Sequence, residues 1–363
     1  MDKKKHEEEQ PNNHILFSPK TFELTPEDFL PATNEEKQGQ VIMRESVNFW
    51  KDGMRRLRKN KIAMISLIVI VLVLIFAFVL PTFYPYSYEE QLRGRENLTI
   101  MEPIPAKALK IAEQKGQSTF PHLLGTDTLG RDYMVRLMMG TRISLLVGIV
   151  ASVIILLVGS FYGAVSGYFG GRVDMIMMRI VDIVYTVPDV LIIILLMVSL
   201  KPSLTALANT VPGFAWINTV GIGLISIFIV FALLYWVGMA RQVRSQILTL
   251  KEQEYVTAAR ALGASGGRII RKHLLTNCIG TLIVVTTLQI PSSIFTESFL
   301  SFIGIGVAAP MPSLGSMASA ALSGIFTYPY RLLAPALMIS IIILAFNLLG
   351  DGLRDAFDPK LKN

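Results

Sequence analysis

The sequence predicts an all-α polytopic membrane protein with six transmembrane helices. Three observations carry that reading. Of 363 residues, 52% are hydrophobic and only 17% charged, where a soluble domain carries about 25% charge; the mean hydropathy is +0.50. Apolar segments long enough to cross about 30 Å of hydrocarbon recur along the chain. Lys and Arg gather in segments that share one membrane face if there are six spans. The net charge of +7 is therefore placed along a lipid membrane, and no nucleic-acid partner is implied.

Residues 1 to about 40 read as a loosely ordered polar tail, with no signal-peptide pattern. Val47, Trp50, Met54 and Leu57 then recur at helical spacing, and Arg55, Arg56, Arg58, Lys59 and Lys61 crowd the end of the segment. This is either an amphipathic helix lying on the cytoplasmic membrane surface or a solvated basic flank that only sets topology. The predicted organisation is a cytoplasmic N-terminal region over 1–61, a first transmembrane helix over 62–80 and an extracellular loop over 81–140. A core of five further helices over 141–350 follows, then a cytoplasmic C-terminal end over 351–363.

Within that core the second span lies in 143–171, where Gly159, Gly163 and Gly167 at intervals of four let another helix approach closely. The third, roughly 176–200, contains Arg179, Asp182, Pro188 and Asp189. The fourth lies in 220–240, the fifth in 278–299 and the sixth in 332–350. The uncharged, Gly- and Pro-interrupted stretch between the last two suits a re-entrant or mouth-lining loop, because irregular backbone at membrane depth must face protein or water. Six spans place both termini on one side. That side collects 24 of the 34 Lys and Arg and is therefore cytoplasmic.

The segment 241–277 is then a cytoplasmic loop. Its core, Glu254-Tyr-Val-Thr-Ala-Ala-Arg-Ala-Leu262, is helix-favouring, with Tyr255, Ala258, Ala259 and Leu262 on one face. Gly263 stands where a helix C-cap glycine belongs, and Ala-Ser-Gly-Gly makes a turn. A second helix carries Ile270, His273 and Leu274 on one side and Arg268, Arg271 and Lys272 on another. Small residues admit a partner close to the backbone, and a basic rim steers an acidic groove onto it. The alternative is an interfacial loop whose arginines meet lipid headgroups.

Asp182, Asp189 and Glu297 are costly at membrane depth. They either line a polar conduit that accepts a cationic group or are held locally: Asp182 by Arg179 one turn away, Asp189 beside Pro188, where the helix opens and carbonyls need partners, and Glu297 near the outer membrane face. Asp127, Arg131 and Asp132 either contact an external protein or cap the entry to the second span. Single Cys278 excludes an intrachain disulfide, and four scattered histidines show no metal-ligand spacing. No G-x-x-x-x-G-K-[ST] pattern occurs, and no nucleophile–base pair or H-E-x-x-H motif suggests an intramembrane enzyme. A channel would show a filter or charge ring. A secondary transporter, the rival reading, would show an internal repeat of the spans.

The 254–277 stretch resembles the EAA coupling loop of ABC importer permeases, with the Ala pair at Ala258-Ala259 and the glycine at Gly263. Its AARALG core and His273-Leu-Leu-Thr-Asn277 ending are similar to the oligopeptide/dipeptide branch. Thr276 stands where that ending has proline, and Thr257 where the general motif has glutamate. Residues 125–145, the GGRVDMIMMRIVDIVYTVPDVLI stretch, the IFTESFLSFIGIGVAAPMPSLGSM stretch and residues 350–362 resemble the same branch in order, so that most of 41–363 is covered. The resemblance is to OppC/DppC-type permeases. It implies a type I ABC importer permease fold with a cytoplasmic coupling hairpin, in which Glu254, Tyr255, Ala258, Ala259, Arg260, Gly263, Arg268 and His273 meet an ATPase. It also implies a second homologous permease, two ABC ATPase subunits that hold ATP and Mg, and an extracellular peptide-binding protein. No cofactor belongs to this chain. The expected cargo is an oligopeptide or dipeptide, nickel complexes being the alternative for the same architecture.

Overall fold

The computed structural model describes residues 49–307 and 309–357. The N-terminal tail, Val47 of the amphipathic pattern and the last residues of the C-terminal end lie outside the described residues. Among them are six helices long and apolar enough to cross a membrane: α2 (Lys61–Phe83), α4 (Tyr133–Phe169), α6 (Asp189–Thr210), α7 (Ile222–Leu250), α9 (Ile279–Phe302) and α11 (Tyr330–Phe357). Shorter helices are α1 (Phe49–Lys59), α3 (Ala106–Lys115), α5 (Gly171–Thr186), α8 (Glu254–Ala261) and α10 (Leu314–Ala321).

The second span is α4, 37 residues long and thus about 55 Å. It outruns the hydrocarbon thickness because α7 runs alongside it. A Cβ at Gly159 would lie 2.6 Å from the Met239 Cβ, and one at Gly167 3.0 Å from the Arg244 carbonyl. The glycine stripe therefore brings the two backbones into near contact. The first span is pinned to α4 differently. Ile75–Val79 of α2 forms a π turn, and Arg142 of α4 donates to the carbonyls of Ala77 and Phe78 at 2.9 and 3.3 Å. Carbonyls at this widened turn thus receive the hydrogen bonds of an arginine within a span.

Two apolar clusters fill the bundle. Ile70, Val73, Leu145, Ile294, Leu314, Ile342 and Phe346 join α2, α4, α9, α10 and α11. Ala151, Ile193, Met197, Ile227 and Leu300 join α4, α6, α7 and α9. Within the stretch expected to be a re-entrant or mouth-lining loop, the small helix α10 is a largely buried element. Ser313 and Ser316 close a capping box at its start, and Gly315 presses against the Ser298 backbone.

Three boundaries differ from the sequence reading. The third span is not 176–200: the chain breaks at Val187–Pro188, leaving α5 as a separate helix and α6 as the crossing one. Val187 is extended, with φ −86° and ψ 136°, as a residue before proline prefers. The fourth span runs ten residues beyond 240, to Leu250, because Arg241 and Arg244 find carboxylates on α5. Helix α4 begins at Tyr133 rather than near 143, so the end of the stretch read as an extracellular loop over 81–140 belongs to the helix.

Candidate functional site

The 254–277 stretch folds as a hairpin with a fixed root and a bare tip. At the root Val256, Ile269 and Leu274 are completely buried, packed with Ile155 and Ala164 of α4 and Met239, Val243 and Ile247 of α7. The return leg adopts π geometry over Ile269–Leu274. An α-helix turns residues five apart well away from each other, whereas the wider i→i+5 turn brings them to one side. That is how Ile269 and Leu274 both point inward. Lys251 donates to the Gly167 carbonyl at 3.1 Å, and the Arg260 guanidinium lies 5.9 Å from the Tyr168 ring. The legs are tied by Asn277, whose amide donates to the Tyr255 hydroxyl at 3.2 Å and the His273 carbonyl at 2.6 Å.

Gly263 ends α8 with φ +81°. Its N–H donates to the Arg260 carbonyl and that of Ala264 to the Ala259 carbonyl, both at 3.0 Å. These are the paired bonds of a Schellman motif, which needs a left-handed residue. The tip beyond the root carries Ala258, Ala261, Gly263, Arg268, Arg271 and Lys272 exposed, with Ala259 and His273 half-buried. Leu262, 89% exposed, is an apolar side chain with almost no contact. Glu254, also exposed, stands in the first turn, where its charge suits the helix dipole. The anchor Ile269 escapes sequence reading because its signal is a π turn, which has no local pattern; Val256 is a single buried residue of α8 among mostly exposed ones.

The three acids do not converge. Asp182 is on α5, outside the six spans, and pairs with Arg241 of α7 at 2.9 Å rather than with Arg179; the Arg241 guanidinium also covers the Tyr185 ring at 4.4 Å. Nearby, Arg244 grips both oxygens of Asp174, and Ser166 donates to the same carboxylate. These hydrogen bonds hold the Asp174 carboxyl below the usual carboxylate range. Asp189 is exposed at the start of α6, where its carboxylate accepts from the Val190 N–H at 2.9 Å. It lines a cleft of about 490 Å³ with Tyr185, Thr186, Pro188, Tyr235 and Gly238.

Glu297 is completely buried in α9. Ser144 of α4 and Ser301 each donate to one of its oxygens at 2.7 Å. Ser144 in turn accepts from the Leu314 N–H, and Ser301 from the Val307 N–H. One carboxylate thus ties two spans to the chain entering α10. No cation pairs with it among the described residues, so in place of a local ion pair a shell of hydroxyl groups hydrogen-bonds the buried carboxyl group.

At the opposite end Asp132 is the N-cap of α4. One oxygen accepts from the Val135 N–H at 2.9 Å, the other from His122 Nδ1 at 2.7 Å and the Tyr84 hydroxyl at 3.3 Å. Burial and the adjoining Asp132 charge push the Tyr84 phenol up. His122 stacks on Tyr86 with centroids 4.5 Å apart, and buried Arg95 donates to the Ser118 carbonyl. Asp127 accepts from the Leu129 and Arg131 N–H groups and from the Arg131 guanidinium. Asp132 is thus a cap at the entry to α4, and Leu129 at the tip of the preceding turn is exposed.

A family model described as binding-protein-dependent transport system inner membrane component matches residues 155–363, and one for the N-terminal TM domain of oligopeptide transport permease C matches 48–99. The oligopeptide transport system permease protein OppC of Bacillus subtilis is 42% identical over 334 residues, covering 92% of this chain and 97% of that protein. The dipeptide transport system permease protein DppC of the same organism is 40% identical, covering 98% of each. OppC of Escherichia coli K12 is 35% identical over 87% of this chain and 93% of its own length. With six spans and these matches end to end, the chain belongs to the binding-protein-dependent inner-membrane transport components, as a permease subunit, not an enzyme, of an OppC/DppC-type ABC importer.

Proposed function

We propose that this chain is one of two homologous permeases that together pass oligopeptides or dipeptides across a bacterial cytoplasmic membrane, with both termini and the 254–277 hairpin cytoplasmic. ATP and Mg are held by two partner ATPase subunits, and an extracellular peptide-binding protein delivers cargo. The observation that carries the proposal is the hairpin's division into a buried root and a bare tip. A loop that merely crossed the membrane surface would not need three fully buried anchors. A docking knob needs them, because force applied at the tip must reach the spans.

The mechanism follows from that geometry. An ATPase groove takes Leu262, with Ala258 and Ala259 allowing close approach and Arg260, Arg268 and Arg271 matching acidic groups at its rim. Tyr255, Gly263 and His273 keep the two legs in register. Closure of the ATPase pair then carries the hairpin as a rigid body, and Val256, Ile269 and Leu274 pass the displacement to α4 and α7. Asp189 gives the cleft beside the α5–α6 break an acidic wall suited to a peptide ammonium; Asp182 and Glu297 serve as structural ties. Contact with the binding protein falls to the exposed Leu129 tip, which Asp127 and Arg131 shape and Asp132 anchors.

The test is an affinity pull-down from solubilised membranes of the native chain and of Leu262→Asp and Gly263→Trp. Leu262 touches little, so Leu262→Asp leaves the hairpin backbone as it is; Gly263→Trp meets no neighbouring atom but strains the left-handed residue that closes α8, so Leu262→Asp decides the test. The native chain is expected to recover a second permease and P-loop ATPases, and both variants to keep the permease and lose the ATPases. ATPases retained by Leu262→Asp would overturn the docking reading.

A further inference from the structure

Helix α1 has three sectors. Gly53 and Leu57 are buried: a Cβ at Gly53 would meet the Phe357 ring, and Leu57 packs with Ala63 and Ala356. Turning about 100° per residue away from this docked face, Trp50 and Met54 come next, 48% and 47% exposed. Arg58, Lys51, Arg55 and Lys59 then fill an arc, all exposed. Asp52, in an ion pair with Arg56 at 3.2 Å, closes the circle. No acidic group pairs with the four cations of the arc among the described residues.

The position of α1 is fixed by chain connection. Asn60 ends it and caps α2 by accepting from the Ala63 N–H at 3.2 Å, and Lys61 begins a span. A helix facing only water has no use for exposed Met54, and a crossing helix tolerates no cationic arc. A docked face, an apolar shoulder and a cationic arc at a membrane boundary are the pattern of an interfacial helix, and the charge complement of the arc is an anionic leaflet.

The first turn of α1 also reaches the start of α9, the helix that follows the hairpin. Phe49 and Trp50 stack on Phe357 with centroids 5.3 and 5.8 Å apart. A Cβ at Gly280 would lie 3.1 Å from the Phe49 ring, and Gly280 is in the first turn of α9, three residues past Asn277, where the hairpin ends. We infer that α1 is a binding surface for anionic phospholipid headgroups, and that lipid held there steadies the root of the hairpin. The second half rests on the coupling role of the hairpin.

The whole importer is reconstituted in bilayers of phosphatidylcholine with increasing phosphatidylglycerol, and Trp50 emission is taken as the difference between the native complex and Trp50→Phe. Brominated phosphatidylglycerol is expected to quench that emission several-fold more than brominated phosphatidylcholine. The preference is expected to vanish in the combined Lys51→Gln, Arg55→Gln, Arg58→Gln and Lys59→Gln variant, with the second permease still bound. Peptide uptake is expected to rise with phosphatidylglycerol in the native complex and to stay flat in that variant. Equal quenching by the two lipids overturns the site, as does an unchanged preference in the variant, which would reduce the arc to a topology signal. A lipid preference without any change in uptake overturns the hold on the hairpin. Gly263→Trp separates the two ideas: loss of the ATPases there leaves the lipid preference intact.

Discussion

Gly163 of α4 lies so close to the Ala240 carbonyl of α7 that no β-carbon fits between them; the same imaginary atom would stand 3.0 Å from the Val243 side chain and from the Arg244 N–H nitrogen. Backbone meets backbone here, so neither side has a flexible group that can yield. Gly163→Val is expected to cost at least about 1–3 kcal/mol of packing and to lower the unfolding midpoint of the purified complex by several degrees. Gly238→Val on α7, where nothing lies within 4 Å of the added atom, serves as the control. Equal midpoints for the two would show that the contact does not hold the helices together.

Asp132→Ala removes both an N-cap and the acceptor of His122 Nδ1. Losing the cap costs about 0.5–2 kcal/mol, and leaving a buried donor unpaired costs a further 1–3 kcal/mol or so. Asp132→Asn keeps an oxygen for the Val135 N–H and is expected to be the milder change. Limited proteolysis of the loop 84–132 reads the result: cleavage should be fastest in Asp132→Ala. A loop equally protected in all three proteins would mean that the cap is dispensable.

Glu297→Gln separates a structural from a conducting role. An amide still presents an acceptor, and the Ser144 and Ser301 hydroxyls can rotate to receive its N–H, so uptake should fall less than about twofold. Glu297→Ala leaves both hydroxyls without their acceptor and opens a cavity, at a cost of roughly 2–5 kcal/mol. Uptake abolished by Glu297→Gln at unchanged thermal stability would assign the charge itself to transport.

Asp174 gives a pH signature. Its carboxyl is held below the ordinary value because Arg244, and then Ser166, hydrogen-bond the charged form. A depressed folded value means that the contribution is intact above the unfolded carboxylate value and is lost as the pH falls through the folded one. Unfolding midpoints of the native protein and Asp174→Asn should therefore differ at neutral pH, by the equivalent of about 1 kcal/mol or less for a partly exposed pair. They should converge only below pH 3.8. Convergence well above that value would remove the role assigned to Arg244.

What the chain disclosed in advance follows the range of the forces involved. Six spans, the glycine stripe and the Gly263 cap were legible because each is a local pattern of hydrophobicity, spacing or backbone conformation. An opening at Pro188 was legible, but not that the crossing helix begins only after it, because apolar residues continue on both sides and a hydropathy pattern does not register a change of axis. Arg241 and Arg244 carried no local hint of partners, since Asp182 and Asp174 stand 59 and 70 residues earlier. The donors to Glu297 hid for the same reason: Ser144 is 153 residues away and reads as an ordinary serine in a span. The tip of the hairpin was visible as small and basic residues; its root was not, because only the π turn brings Ile269 and Leu274 to one side.

The unbroken run of α4 has a mechanical meaning. Asp132 fixes its first turn at one end, and Ala164 and Gly167 meet the hairpin root and Lys251 at the other. A rod of this kind has no elbow in which to dissipate a push, in contrast to the neighbouring pair α5 and α6, which is articulated at Val187–Pro188. A tilt imposed at the hairpin would therefore reach the far end of the rod as a tilt, with α5 carried along by its ties to Ser166, Arg241 and Arg244 and the break at Val187–Pro188 sparing α6 from following rigidly.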